Sequence, residues 1–350
     1  RAGGRTVCLG RDGRVSSRGL ANAVAGGLMA AGCDVIDIGL GPSPMLYFSV
    51  FEMHADAGLM VTGSHNPPDW NGIKMMRSSG PFHGADIQAL GTMAAAGDWE
   101  TGVGSARTAD IMDRYVEAML ADFRGSAFTI AWDCGNGAAG PVVERLTRLL
   151  PGTHHLLFAD VDGRFPNHHP DPSKPENLAE LIAKVKSTDA ELGLAFDGDG
   201  DRLGIVTREG NNIYPDRQIM LFARDILKRN KGAQIIYDVK CTRLLAPWIE
   251  QHGGRAVVPE PGTEHQRDAQ ADRLQAMAQA VMRRDLLGEG LAQRVVADRP
   301  PRPDHFRTHR ARRTGGDATR DGRRTSNGIS EYSTKSSRRT SFGFSYGDSN

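Results

Sequence analysis
The sequence predicts an α/β protein built from several layered domains with mixed, largely parallel sheets and ending in a disordered tail. Three observations carry this. Up to Thr62, short apolar runs alternate with helical stretches in the order β-α-β-α-β, the pattern of a layered domain whose strands run parallel. A second set of strand-like runs occupies Phe128 to Val206. From about Pro300 the chain is rich in Arg, Ser, Thr and Gly and poor in aliphatics, so it buries too little surface to offset the entropy of ordering. The 350 residues suffice for about two or three domains with substantial cores, and the formal net charge of +1 argues against a polyanionic partner. The basic tail alone could bind nucleic acid weakly, but a solvated tail is the preferred reading. No apolar run is long enough to cross a bilayer, and no charged-then-apolar signal segment opens the chain. Cys8, Cys33, Cys134 and Cys241 are scattered without C-x-x-C spacing, as expected of reduced thiols in a cytoplasmic protein and not of a zinc site.

Taken in order, Thr6 to Gly10 reads as a strand and Arg11 to Arg14 as a charged turn. Ser16 or Ser17 can cap a helix running to about Ala31, with Leu20, Val24 and Leu28 on one face and Gly32 at its end. A strand at Asp34 to Ile38, the turn GPSP and a second helix lead to the buried strand Gly58 to Thr62. Residues 76–108 are Gly-, Ala- and Ser-rich, and Asp110 to Phe123 reads as a linking helix, which puts the first domain at 1–108. The second domain, 109–207, begins with a strand at Phe128 to Trp132, followed by GNGAAG and a helix from Val142. Gly135 to Gly140 either binds phosphate through its N–H groups or is a structural tight turn. A strand near His155 to Ala159 precedes the Pro-rich FPNHHPDPSKPENL, an extended loop into a helix at Glu176. His168 and His169 are adjacent on an extended chain and so should point to opposite faces, which argues against a shared metal. A partial third domain, 208–258, holds a helix at Asp216 to Arg229, a strand at Ala233 to Val239 and a helix at Leu244 to His252. Leu244, Leu245 and Trp248 are expected to lack an assured partner. Residues 259–350 form the divergent tail.

Two stretches carry chemistry. In ADAGLMVTGSHNPPDWNGIKMM, Ala55 to Met76, an apolar strand runs into a loop bearing Ser64 and His65, with Lys74 further on. A strand end fixes the backbone while the loop leaves the side chain open, which is how a scaffold presents a reactive group. Alone, S-H-N-P would more readily be a surface turn capped by its serine. The second stretch, LGLAFDGDGDRLGIV at Leu192 to Val206, joins two apolar strands through Asp197, Asp199, Asp201 and Arg202. Carboxylates so close repel one another and raise each other's pKa unless a cation intervenes. All-oxygen ligands favour Mg²⁺, Mn²⁺ or Ca²⁺ over zinc. A calcium EF-hand is excluded by Arg202 at its sixth position, Arg208 at its twelfth, and strands on both flanks.

The two stretches, in this order and separation, resemble the α-D-phosphohexomutases, most closely the phosphomannomutase/phosphoglucomutase branch. Phosphoglucosamine mutases are similar but usually read S-A-S-H-N-P, so Thr62-Gly63 leans towards the mannose and glucose branch. Further resemblance lies in GRDGR (Gly10 to Arg14), DCGNGAAG (Asp133 to Gly140), FPNHHPDPSKPENL (Phe165 to Leu178) and YDVKCTR (Tyr237 to Arg243). It covers about residues 5 to 258. It implies a phosphotransferase acting on hexose 1- and 6-phosphates, with Ser64 as phosphoryl donor and acceptor. Mg²⁺ would be held by Ser64, Asp197, Asp199 and Asp201, with glucose or mannose 1,6-bisphosphate as activator and intermediate. By the same resemblance Lys74 would serve the sugar hydroxyl, His65 would orient the loop, and Arg14, Arg202 and Lys240 would line the substrate.

The family begins with an earlier strand and arginine loop, and continues with G-E-M-S-G-H and R-x-S-N-T loops. None is expected here: Gly288-Glu289-Gly290 lacks the Ser and His, and Arg324-Thr325-Ser326-Asn327 lies in an Arg/Ser-rich tract. A start at a non-Met residue suggests a fragment, and a shift of reading frame after about Pro259 would explain the divergence. The alternatives are a catalytically inactive fragment that only binds a cation or sugar phosphate, a phosphoglucosamine mutase, and a residual metal-dependent phosphatase.

Overall fold
In a computed structural model of the chain, residues 3–258 are described apart from 83, 122 and 124. All of them lie in one compact unit. The expected tail at 259–350, with its Gly288 and Arg324 segments, falls outside the described residues.

The first sheet is built from β1 (Thr6–Arg11), α1 (Ser17–Ala30), β2 (Asp34–Leu40), α2 (Ser43–Glu52), β3 (Ala57–Val61), β4 (Ile73–Arg77), β5 (Gly80–Pro81), α3 (Ala85–Ala95) and β6 (Ala106–Thr108). Its strand order is β5-β4-β3-β1-β2-β6. Strands β3, β1, β2 and β6 run parallel, and β4 and β5 are added antiparallel at one edge. A helix covers each face. Val24, Ala25 and Leu28 of α1 pack on Leu9, Val35 and Val61, while Met45, Leu46 and Val50 of α2 join Cys8, Ile36 and Met60 on the other side. Strands covered on both faces are mostly apolar, as in Val7–Leu9 and Val35–Ile36, which is why they were legible as runs.

Two details of α1 differ from expectation. Neither serine caps it, because Ser17 donates its hydroxyl to Asp12 and Ser16 accepts from Asn71. Leu20 is exposed, since the helix turns the Ala21 face to the sheet instead.

The helix α4 (Met112–Ala121) leads to a second sheet made from β7 (Phe128–Asp133), α5 (Gly140–Thr147), β8 (Gly152–Leu157), a 3₁₀ turn at Pro175–Leu178, α6 (Ala179–Ser187), β9 (Leu192–Phe196), β10 (Leu203–Thr207) and β11 (Asn212–Ile213). Its order is β11-β10-β9-β7-β8, so it extends past residue 207, where the second domain was expected to end. β8 starts three residues before the expected strand begins. Leu178, Leu181 and Val185 cover one face. The other face belongs to the same apolar cluster that backs α2: Trp132, Leu192, Leu194 and Ile205 with Ile111, Tyr115, Val143 and Leu146. One continuous core therefore joins the two sheets. Phe48 of α2 and Tyr115 of α4 meet within it, ring centroids 5.5 Å apart.

A smaller layer follows: α7 (Pro215–Arg229), β12 (Gln234–Ile236), α8 (Leu245–Gln251) and β13 (Arg255–Val257), with β12 and β13 paired in parallel. Gln218 of α7 donates to the Ile213 carbonyl and ties the layer to the second sheet. Here the expectation about α8 is corrected. Leu245 is buried, Trp248 packs in the same cluster and donates its indole N–H to the Met220 carbonyl at 2.9 Å, and both gain partners from α7. Among the described residues, no helix is long and apolar enough to cross a membrane.

Candidate active site
The carboxyl ends of β1, β2 and β3 lie side by side, the edge at which parallel α/β sheets place their ligands. From β3 the chain enters the 62–72 loop and returns along β4, whose register sets Lys74 opposite Met60. Ser64 occupies the left-handed region at φ +50°, a conformation that costs an L-residue energy and persists only where surroundings impose it.

Asp12 and Arg14, just past β1, impose it. Asp12 is buried and accepts from the Arg14 and Gly63 N–H groups, the Ser17 and Thr62 hydroxyls and Arg14 Nε. Arg14 directs its four terminal N–H groups to the carbonyls of Pro67, Trp70 at 3.0 Å, Ser64 at 2.8 Å and Asn66 at 2.8 Å. With the Nε contact, its full donor set is occupied within the protein. The expectation that Arg14 lines the substrate is thereby corrected: it has no donor left to offer. Gly63 completes the clamp, since a Cβ there would lie 2.5 Å from the guanidinium carbon. From the loop after β8, His169 Nε2 lies 2.6 Å from the His65 carbonyl, while His168 turns the other way to Asp133. The two histidines thus diverge, as adjacent residues on an extended chain should.

The β9–β10 turn brings the acidic loop to the serine. Ser64 Oγ donates to Asp197 Oδ2 at 3.0 Å and lies 3.4 Å from His65 Nδ1. Asp197 Oδ1 accepts the N–H groups of Asp201 and Arg202. Lys74 Nζ bridges Asp199 at 2.6 Å and Asp201 at 2.5 Å. Ser43, at the start of α2, donates its hydroxyl to Asp199 Oδ2 at 2.5 Å. Gly198 and Gly137 are needed for close approach, because a Cβ on Gly198 would lie 2.4 Å from the Ser64 carbonyl oxygen and one on Gly137 would lie 2.9 Å from the Gly198 carbonyl oxygen. The GNGAAG stretch thus serves as a packing turn beneath the acidic loop, with the Ala138 N–H donating to the same Gly198 carbonyl.

Burial, then the charges of Asp201 and Asp199, pushes the Asp197 carboxyl well above the usual carboxylate range. Burial and Asp199 also raise Asp201. Burial opposes ionisation of Asp199 too, but Lys74 and the Ser43 hydroxyl outweigh it and bring that group down to about 2. Burial lowers the Lys74 pKa, yet the carboxylates beside it more than compensate and hold it firmly protonated. Burial and Arg202 depress His65 and favour the neutral ring.

This cluster suits a hard divalent cation. Oxygen atoms of Asp197, Asp199 and Asp201 lie within 4.8 Å of one another. Asp199 Oδ1 is buried with no hydrogen-bond partner, and an orphaned carboxylate oxygen among like charges could serve a cation as a ligand. Of the expected site residues, Ser64, His65, Lys74 and the aspartates come together, with Arg202 exposed at the rim. Lys240 does not join them. It is exposed beyond β12, its N–H on the Asp238 carboxylate, in the separate smaller layer. Asp12 and Ser43 were not singled out from sequence, Thr62 was read only as a mark of the branch, and His169 was weighed only as a metal ligand. Asp12 was legible as the acid ending the first strand in GRDGR, and Ser43 as the polar residue between prolines at a helix start.

A serine hydroxyl at a strand end, set against an acidic cation loop from a neighbouring layered domain, defines a class of two-sheet α/β proteins with a shared serine and metal site. Family models agree: phosphoglucomutase/phosphomannomutase α/β/α domain I matches residues 1–99, and domain II of the same family matches residues 113–210. The chain belongs to this family, the α-D-phosphohexomutases. It is 50% identical over 257 residues to a phosphomannomutase/phosphoglucomutase of Pseudomonas putida, covering 73% of this chain and 56% of the relative. It is 49% identical over 263 residues to a phosphoglucomutase of Neisseria meningitidis, with coverage of 73% and 56%. A crystal structure of a family protein from Burkholderia thailandensis superposes with a TM-score of 0.71 at 49% identity, covering 74% of this chain and 59% of that one. The chain thus spans about half the length of the curated relatives it matches.

Proposed function
We propose that the chain carries the phosphoserine and metal centre of a phosphohexomutase that interconverts hexose 1-phosphate and hexose 6-phosphate, of mannose, glucose or both. The observation that carries this reading is the Ser64 hydroxyl 3.0 Å from Asp197, beside an Asp199 oxygen that lacks any partner. Ser64 rests phosphorylated. Its Oγ–phosphorus bond breaks as the free hydroxyl oxygen of a sugar monophosphate bonds to phosphorus, and the proton of that hydroxyl ends on Ser64 Oγ, which leaves as the free serine hydroxyl. The resulting bisphosphorylated sugar turns round and returns its other phosphoryl to Ser64. Asp197, Asp199 and Asp201, with the serine oxygen, would hold Mg²⁺, which when bound offsets negative charge on the transferring phosphoryl group. Lys74, already protonated, donates a hydrogen bond towards the oxygen on which charge develops, and neutral His65 steadies the serine side of the loop. The Asp12–Arg14 clamp orients Ser64 before substrate arrives, so little of that ordering remains for the reaction step. Glucose or mannose 1,6-bisphosphate is the expected phosphoryl source. Buried free thiols at Cys8 and Cys134 fit a reducing compartment such as the cytoplasm.

The test is intact-mass analysis of the full chain after incubation with Mg²⁺ and glucose 1,6-bisphosphate. One phosphoryl adduct, absent in Ser64→Ala and after chelation, supports the reading. No adduct on protein shown to be folded overturns it.

A further inference from the structure
We infer that Ser43 is a positioning residue of the cation site, holding Asp199 in the one orientation that leaves Oδ1 free as a ligand. This rests on the cation reading given above. Ser43 and Asp199 are 156 residues apart in sequence, and both are fully buried. Their contact is double: the Ser43 hydroxyl donates to Oδ2 at 2.5 Å, and the Ser43 N–H donates to the Asp199 carbonyl at 2.8 Å. The start of α2 and the acidic loop also touch directly. A Cβ on Gly200, which sits at φ +70°, would lie 2.9 Å from Pro42 Cβ.

A carboxylate has two oxygens in one plane, so fixing one by hydrogen bonds fixes the direction of the other. At Asp199, Ser43 and Lys74 both engage Oδ2, and Oδ1 remains buried without a partner. Lys74 has its own place next to the reacting oxygens and is partly exposed. Ser43 is buried and has no route to substrate. Its hydroxyl, which also meets the Tyr47 side chain, bears on the cation through Asp199, in the manner of the outer partners that orient metal ligands, whose loss weakens metal affinity by about 10- to 100-fold.

A merely structural serine would satisfy a buried carboxylate and do nothing more. Two readouts separate these roles: Mn²⁺ affinity, from electron paramagnetic resonance titration of the 350-residue chain, and thermal melting in chelator. Ser43→Ala keeps the backbone contact and should bind Mn²⁺ at least about tenfold more weakly. Ser43→Thr, which retains the hydroxyl, should restore most of the affinity. Ser43→Cys keeps the size but offers only a weak donor, and should bind as poorly as the alanine variant. Ser49→Ala is the control, since it removes a hydroxyl from the same helix that bonds the Leu46 carbonyl and not Asp199. It should bind as wild type. Wild-type affinity in both Ser43→Ala and Ser43→Cys, with only the melting temperature lowered, overturns the inference alone. A wild-type chain that binds no Mn²⁺ overturns the cation reading and this inference with it.

Discussion

The serine loop and the acidic loop face each other across the site and are stabilised by opposite means. The serine loop is over-determined: four of its carbonyls accept from one buried arginine, and a buried aspartate collects the N–H and hydroxyl groups beneath it. The acidic loop is left one partner short, with an orphaned Asp199 oxygen and two carboxyls pushed up by burial and by neighbouring carboxylates. The protein thus finishes one part of the site itself and leaves the other open, on the reading proposed above for a cation. The first supplies geometry, and the second supplies charge where it is needed.

The sharpest way to break this contrast is at Ser64. Ser64→Ala should abolish phosphoryl adduct formation entirely while leaving the urea unfolding midpoint nearly unchanged, because Arg14 grips carbonyls and not the hydroxyl. Next in size is the clamp. Arg14→Ala strands the buried Asp12 carboxylate, and removing one partner of a buried pair costs about 3–5 kcal/mol, to be read from urea denaturation. If the clamp were dispensable, that variant would unfold like wild type. The acidic loop should respond to cation instead. Mg²⁺ at about 100 times its dissociation constant should stabilise the chain by about 2.7 kcal/mol, and Asp199→Asn should abolish the gain in thermal melts.

The smallest effect belongs to the loop that touches both, where His168 meets Asp133 at 3.0 Å. Burial lowers the His168 pKa, but the Asp133 carboxylate outweighs this and raises it above 6.5. A raised folded-state pKa adds stability that is complete below the unfolded value near 6.5 and is lost as pH rises through the folded one. Stability should therefore decline as pH rises on the alkaline side of 6.5, and His168→Asn should flatten that slope in denaturation measured against pH.

The elements legible in the sequence were those whose chemistry is local. Strands buried on both faces read as unbroken apolar runs, as at Leu192 to Phe196. The acidic hairpin read from its alternating charges, and Ser64 from its place at a strand end. Contacts that join distant segments were not legible. Arg14 looked like a free cation because the carbonyls that occupy it lie about 50 residues downstream. Ser43 looked like part of a proline turn because Asp199 belongs to another sheet. β4 went unread because its partner strand precedes it across the serine loop, and its residues are only half-buried. Lys240 was placed in the site by resemblance, yet it lies on an exposed segment of the smaller layer.

The hydrogen bond between Ser64 and Asp197 spans 133 residues of chain. During synthesis at about 5–20 residues per second, the serine loop therefore waits roughly 7–27 s before its carboxylates leave the ribosome. Asp12, Arg14 and the whole first sheet emerge before or soon after Ser64, so the loop can take its final shape during that wait. The cation pocket cannot exist until both sheets have docked. Metal retention is accordingly a late signal of assembly, and a nascent chain stalled before residue 197 should be well ordered around its serine yet indifferent to magnesium.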